Sequence, residues 1–182
     1  MRKVSAKFMH RRASGFTLIE AALTMIIIGV GFFSMLELYA TCSMQNRFSG
    51  NMTTAMLLAN NVQEAMAGTT FNDPLSGKLV FGPESGETLA TFDDADDFDT
   101  QTFSPPIDSM RQPIDELSRY SQSVTVVPVY PNRLNSNNNP SSPEIADSTY
   151  TGAVRVTVTI VYTGHPETSH VAHQMSWIRM ND

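Results

Sequence analysis

The chain has 182 residues, with 12 basic against 18 acidic side chains and a formal net charge of −6, enough for one modest domain plus an appendage. Residues 1–15 hold Arg2, Lys3, Lys7, Arg11 and Arg12 and no acid, so the rest of the chain carries all 18 acids. That acidic body argues against nucleic acid as a partner, because phosphate binding wants a basic face; the single cysteine, Cys42, excludes an intrachain disulfide and a multi-cysteine zinc site.

The first predicted element follows the basic segment. From Phe16 to Leu36 the only ionisable residue is Glu20. A helix of this length spans roughly 30 Å at ~1.5 Å per residue, which matches the hydrocarbon core of a bilayer. The positive charges ahead of it hold the N-terminus in the cytoplasm and send the rest across. A soluble core helix would show a polar face, and residues 21–36 show little of one.

Three processing routes fit such a segment. A secretory signal peptide would be cut after the apolar run, but the run is longer than a usual h-region and Ala40-Thr41-Cys42 is a mediocre site. A lipoprotein signal ending at Cys42 is weak, since Tyr39 and Thr41 are poor residues ahead of a lipidated cysteine. A cut ahead of the run gives Gly15, Phe16 and Glu20 a joint role.

The stretch "GFTLIEAALTMIIIG" resembles the N-terminal signature of type IV prepilins and type II secretion prepseudopilins. That signature is a short basic leader, a Gly, a Phe, three residues, a Glu and a long apolar helix. The resemblance implies that a prepilin peptidase/N-methyltransferase cuts after Gly15 and methylates the new amino terminus at Phe16. Residues 1–15 are then the leader, and Glu20 becomes an assembly residue one turn into the mature chain. It further implies other pilin or pseudopilin subunits and an inner-membrane assembly platform as partners. The protein would be a single-pass inner-membrane protein, N-terminus cytoplasmic and C-terminal domain extracytoplasmic, and fibre-associated once assembled. The resemblance covers about residues 11–68 and is specific over 15–30; the helix-kinking Pro of many major pilins is missing.

The chemistry of Glu20 agrees with such a role. A carboxylate in hydrocarbon costs several kcal/mol unless it is paired. Cutting at Gly15 creates an ammonium on Phe16, one helical turn away. In a helical fibre, Glu20 of one subunit can neutralise the Phe16 ammonium of the next and set the register of assembly. The plainer reading is a side chain that snorkels to the head groups.

The helical pattern continues past the membrane. Met44, Phe48, Met52, Ala55, Ala59, Val62 and Met66 recur at steps of three and four, as one stripe of an amphipathic helix. Gly68 is the stop signal. The expectation is one helix over 16–67, with residues 16–41 its transmembrane half and 42–68 its amphipathic half. "AMLLANNVQEAM" (55–66) is similar to the end of the long helix in I-type minor pseudopilins and V-type minor pilins.

Residues 69–182 change character: Val, Thr and Tyr rise, and Pro, Asn and Ser punctuate. "SVTVVPVY" (123–130) and "GAVRVTVTIVY" (152–162) alternate at period two, with Val154, Val156, Val158 and Ile160 on one side and Arg155, Thr157 and Thr159 on the other. "HVAHQMSWIRM" (170–180) is a third strand after a turn at Gly164-His165-Pro166, and "KLVFG" (78–82) a short fourth. The long helix covers one face of this antiparallel sheet, so the fold class is α+β and pilin-like. Residues 131–144 read as a polar loop.

The acidic run "DDADDFD" offers Asp93, Asp94, Asp96, Asp97 and Asp99 as hard oxygen ligands for calcium. The spacing is not that of an EF-hand, and a solvated acidic loop is the expected state, with no metal and no cofactor. In a regular strand His170 and His173 would point to opposite faces, which disfavours shared metal ligation. There is no nucleophile–base set and no nucleotide motif, so the expectation is a structural subunit and not an enzyme. A minor type II secretion pseudopilin comes first. The alternatives are a minor type IV pilin in pilus assembly, adhesion or DNA uptake, and a non-polymerising single-pass anchored binding domain.

Leader removal has a direct readout. A side chain at the last leader position obstructs the backbone from entering a peptidase. Gly15→Val is expected to leave a full-length precursor, whereas the wild-type chain should show N-methylated Phe16 by intact mass and N-terminal analysis. A mature chain beginning at Cys42 or Ser43 would instead identify a signal peptide.

Overall fold

The computed structural model describes residues 16–74, 82–133, 145–146, 152–164 and 168–181. Gly15, His165, most of the predicted 78–82 strand and most of the 131–144 loop lie outside these residues.

One helix, α1, runs from Leu18 to Ala67. Nothing in the sequence interrupts it: no proline occurs between Phe16 and Asn72. Polar side chains inside its apolar half are hidden by local bonds. The hydroxyls of Thr24, Ser34 and Thr41 donate to the carbonyls of Glu20, Val30 and Glu37 one turn back, at 2.6–2.9 Å. This leaves few unsatisfied donors on a surface suited to lipid. α1 is long and apolar enough to cross a membrane.

The chain divides into two compact units, 1–46 and 47–182. In the second, the part of α1 after Asn46 lies on an antiparallel sheet of order β1-β2-β3-β4, formed by Thr102–Phe103, Tyr120–Pro128, Ala153–Thr163 and Ser169–Met180. Sequential strands are neighbours throughout, a meander. The alternation read from the sequence is realised: Val154, Val156, Val158 and Ile160 are fully buried, while Arg155, Thr157 and Thr159 are half-exposed. From β2, Tyr120, Val124 and Val126 join them in the core. The opposite face of the sheet is partly solvated, as antiparallel sheets permit.

Three details differ from the sequence expectation. The buried stripe of α1 consists of Ala55, Leu58, Ala59, Val62, Ala65 and Met66, whereas Met44 and Phe48 stay 73% and 64% exposed. Helical periodicity tells which residues share a face but not how far along that face a partner extends. The fourth strand is Thr102–Phe103, which pairs with Ser123 and Gln122. Gly82, the described end of the expected 78–82 strand, sits in a bend with φ of +91°. Finally, β4 slips register against β3 between Ile160 and Val161, so that His173 partners Ile160 while His170 partners Tyr162. The bulge puts both histidines opposite residues of one β3 face, where a regular strand would have separated them. His170 stacks edge-on against Tyr162 at 5.6 Å.

Polar groups join helix, sheet and connecting loop. Gln122 is fully buried on β2. Its amide nitrogen donates to the carbonyls of Leu58 on α1 (2.9 Å) and Ile107 (3.0 Å), and its oxygen accepts from the Ile107 N–H at 2.7 Å. The end of α1 has no basic residue in its last turn, yet its free carbonyls are met. Arg111 donates to Ala65 O at 3.2 Å. Arg179 donates to Met66 O and to the Thr69 hydroxyl, both at 2.9 Å, and also to Thr69 O. Two cations brought from distant sequence thus satisfy the orphan acceptors and oppose the negative end of the helix dipole.

Removing the amide of Gln122 while keeping its bulk isolates this link. Gln122→Met should destabilise the protein by about 1–3 kcal/mol, the cost of leaving the buried Ile107 N–H unpaired. Urea unfolding of the detergent-solubilised chain, followed by the fluorescence of Trp177, the single tryptophan, measures the change.

Candidate functional site

The N-terminal motif meets the described residues at Phe16. Phe16 is 71% exposed and Glu20 lies in the first turn of α1. Thr17 precedes the helix, and its hydroxyl accepts the Glu20 N–H at 3.4 Å. "TLIE" therefore has the spacing of a capping box, with a Thr at the cap and a Glu three residues on. The negative charge of Glu20 also sits at the positive end of the helix dipole. The position of Glu20 accordingly suits helix initiation as well as marking the lone charge in an apolar run. The capping pattern is readable in the sequence once the helix start is fixed at Leu18.

The acidic run is not the solvated loop its composition suggested. Asp94, Asp96 and Asp97 are 1%, 0% and 0% exposed. They form and flank the 3-10 turn Asp96–Phe98, whose Phe98 is a core residue edge-on to Phe92 and Phe103. Burying Phe98 carries its acidic neighbours inward with it. The backbone accommodates them through reciprocal bonds. Asp94 Oδ1 accepts the N–H groups of Asp96 and Asp97, at 3.0 and 3.1 Å. Asp97 Oδ2 accepts those of Asp93 and Asp94, at 2.8 and 3.2 Å.

The run splits by role. Asp93 is exposed, and its carbonyl accepts the Thr70 N–H at 2.8 Å. Asp99 points its carboxylate at the Val126 N–H at 2.7 Å, beyond the short cover given by β1, and so completes the edge of β2. Asp94 Oδ2, Asp97 Oδ1 and both oxygens of Asp96 have no hydrogen-bond donor. Glu84 and Glu87, which composition alone did not single out, complete the cluster. One carboxylate oxygen from each of Glu84, Glu87 and Asp97 lies within 4.8 Å of the others. Glu87 Oε2 accepts the Glu84 N–H at 3.0 Å, while Glu84 Oε1 is buried without a partner. No sequence spacing marks this set, because the turn holding the two glutamates meets the run only through the fold: Gly82 N–H donates to Asp96 O at 3.0 Å.

Desolvation, reinforced by neighbouring carboxylates, raises the pKa of Asp94, Asp96 and Asp97. Asp96 is pushed up to about 8, first by burial and then by the charge of Asp94. Asp94 rises to about 6, mainly by burial. Asp97 is also raised, by burial and by its contact with Glu87. Arg179, whose charge interacts with that of Asp94, is itself desolvated. The arrangement holds protons more tightly than free carboxyl groups do. His170 and His173 are not part of it.

Comparison with protein-family models, with curated proteins and with solved structures finds no match to this chain.

The raised values set a direction for stability. An unfolded Asp titrates at about 3.9, so between that pH and about 8 the folded state holds more protons than the unfolded state. Stability from Asp94 and Asp96 is present in full below the unfolded value and is lost as pH rises through about 6 and then about 8. In chelator-containing buffer the urea midpoint should fall between about pH 5 and pH 8, and Asp96→Asn should flatten that fall.

Proposed function

We propose that this protein is a minor pseudopilin of a type II secretion system: a membrane-held structural subunit that is cut after Gly15 and drawn into a short helical fibre. The observation that carries the reading is Glu20, the only ionisable side chain between Phe16 and Leu36, four residues after the residue that a cut would make the new terminus. A helix long enough to cross a membrane, continuous with one that seats on an α+β unit, supports the same reading.

The physical sequence of events follows from this placement. In the lone subunit, Glu20 sits near the cytoplasmic head groups, where it meets water, snorkels or takes up a proton. Leader removal then adds an ammonium at Phe16. When the exposed apolar faces of several helices pack together, that ammonium leaves water and needs a carboxylate. Glu20 of an adjacent subunit supplies it, and the pair fixes the axial register. The prepilin peptidase, sister subunits and an inner-membrane platform are the partners this requires, with the energy for extraction coming from the platform. A minor type IV pilin would use the same steps, and only the assembled machine differs.

Two variants separate the charge of Glu20 from its capping function. Glu20→Gln keeps a capping-box side chain at this position but removes the charge, and Glu20→Ala removes both. Both should insert and be cut after Gly15. If charge pairing governs assembly, both lose crosslinking to fibre partners at least tenfold, since breaking a buried pair costs roughly 3–5 kcal/mol. Wild-type crosslinking by Glu20→Gln with loss only in Glu20→Ala would assign the residue to capping alone. An uncut chain of full mass would favour an anchored binding domain that does not polymerise.

A further inference from the structure

We infer that Thr17 is a positioning residue for leader removal, a role that rests on the pseudopilin reading: by capping α1 it keeps the Gly15–Phe16 peptide bond out of the helix and open to the peptidase.

The first ground is where α1 begins. Phe16 and Thr17 lie outside the helix, which starts at Leu18. The Thr17 carbonyl accepts a helical bond from the Ala21 N–H at 3.1 Å, while its hydroxyl accepts the Glu20 N–H at 3.4 Å. A carbonyl already inside the helical ladder, with the side chain folded over the third helical residue, is the geometry of an N-cap. Phe16, on the far side of the cap, is 71% exposed.

The second ground is what the chain does without that hydroxyl. Leu18, Glu20, Ala21 and Ala22 are strong helix formers, and apolar surroundings offer a bare N–H few partners other than backbone carbonyls. The Glu20 N–H would then turn to the Phe16 carbonyl four residues back, which draws Thr17 into the helix. One further step gives the Ile19 N–H to the Gly15 carbonyl, the carbonyl that the peptidase must attack. No proline bars the extension, since none occurs ahead of Pro74. The next residues upstream that can cap a helix are Gly15 and Ser14. A start at either puts Phe16 in the first turn. The Thr17 hydroxyl is therefore what halts α1 short of the cut.

Leader removal adds water across the Gly15–Phe16 bond. The C–N bond breaks, the leader departs with the new Gly15 carboxylate, and Phe16 keeps the amine, which takes up a proton. Proteolysis acts on backbone that is open, at a rate that follows the open population. A cap two residues past the scissile carbonyl keeps that population high. The same bond orders Glu20, so one hydroxyl serves both the cut and the first turn that carries the lone carboxylate.

The test incubates the full-length precursor in detergent with prepilin peptidase and follows intact mass over time. Thr17→Val keeps the shape of the side chain and removes the hydroxyl, whereas Thr17→Ser and Thr17→Asn keep a capping oxygen. The valine variant should be cut at least about threefold more slowly than wild type, and the serine and asparagine variants within about twofold of it. Amide exchange on the uncut precursors is the second readout: the Ile19 N–H should gain protection in Thr17→Val alone. A peptidase subsite that reads the shape of Thr17 directly would give the reverse order, with valine cut as wild type and asparagine slow. That order, equal rates in all four chains, or slow cutting of Thr17→Val without added protection at Ile19 would overturn the inference and leave the pseudopilin reading standing. A wild-type precursor that stays uncut would overturn both.

Discussion

Gln122 lies on the buried side of β2, and its one amide reaches the Leu58 carbonyl on α1 and both backbone groups of Ile107. Three layers therefore meet at a single side chain. The helix cannot slide along the sheet without stretching the bond to Leu58. The loop that follows β1 cannot lift without exposing Ile107, itself a buried residue. Apolar contact alone would let Ala55, Ala59 and Val62 settle at several offsets on a surface of valines, since dispersion and burial are non-directional. A buried amide with three good partners selects one offset, because any other leaves donors or acceptors unpaired.

That fixed offset sets what surrounds the end of the helix. The carbonyls of Ala65 and Met66 emerge beside Arg111 and Arg179, which arrive from a turn and from the last strand. Arg111 holds a left-handed backbone conformation, φ +63°, inside a turn bridged by Ile107 and Pro113. Asp108 Oδ1 ties this turn through the N–H groups of Met110 and Gln112, both at 2.8 Å. From there the guanidinium spans Ala65 O, Leu89 O and Phe92 O and lies over the Phe98 ring at 5.4 Å. The same contact that ends the helix thus positions the segment carrying Asp94, Asp96 and Asp97. Burial of Phe98 and saturation of Arg111 by carbonyls leave several oxygens of Asp94, Asp96 and Asp97 without a hydrogen-bond donor.

At the other end of the chain α1 has a surface long and apolar enough to cross a membrane. Hydroxyls are folded back onto carbonyls, and apolar side chains from Leu18 to Leu36 are exposed. Glu20 is the exception, and its cost is lowered by lying in the first turn, where the helix dipole favours an anion. Capping and the proposed charge pairing are compatible in one residue. A cap orders the first turn of the helix, and in the proposed fibre an ordered first turn would hold the carboxylate ready for a neighbour's ammonium.

The helix, its length, its stop at Gly68, the alternation of β3 and the α+β class are legible from sequence. Each depends on local periodicity or on the backbone preference of a single residue, and both are written in the order of side chains. Glu20 is visible for the same reason, as a charge where none is otherwise tolerated. The limits of legibility are those of distance along the chain. Whether Met44 or Ala55 is buried depends on where the sheet ends. The bulge that aligns His170 with His173 arises from pairing with β3, and the two-residue β1 has no pattern of its own to detect. The acidic run looked solvated because charge predicts exposure on average. The tertiary structure reversed this, since Phe98 needed the core and drew Asp96 and Asp97 in beside it. The grouping of Glu84 and Glu87 with Asp97 exists only because two turns are packed together, and no spacing in a linear sequence encodes such a meeting.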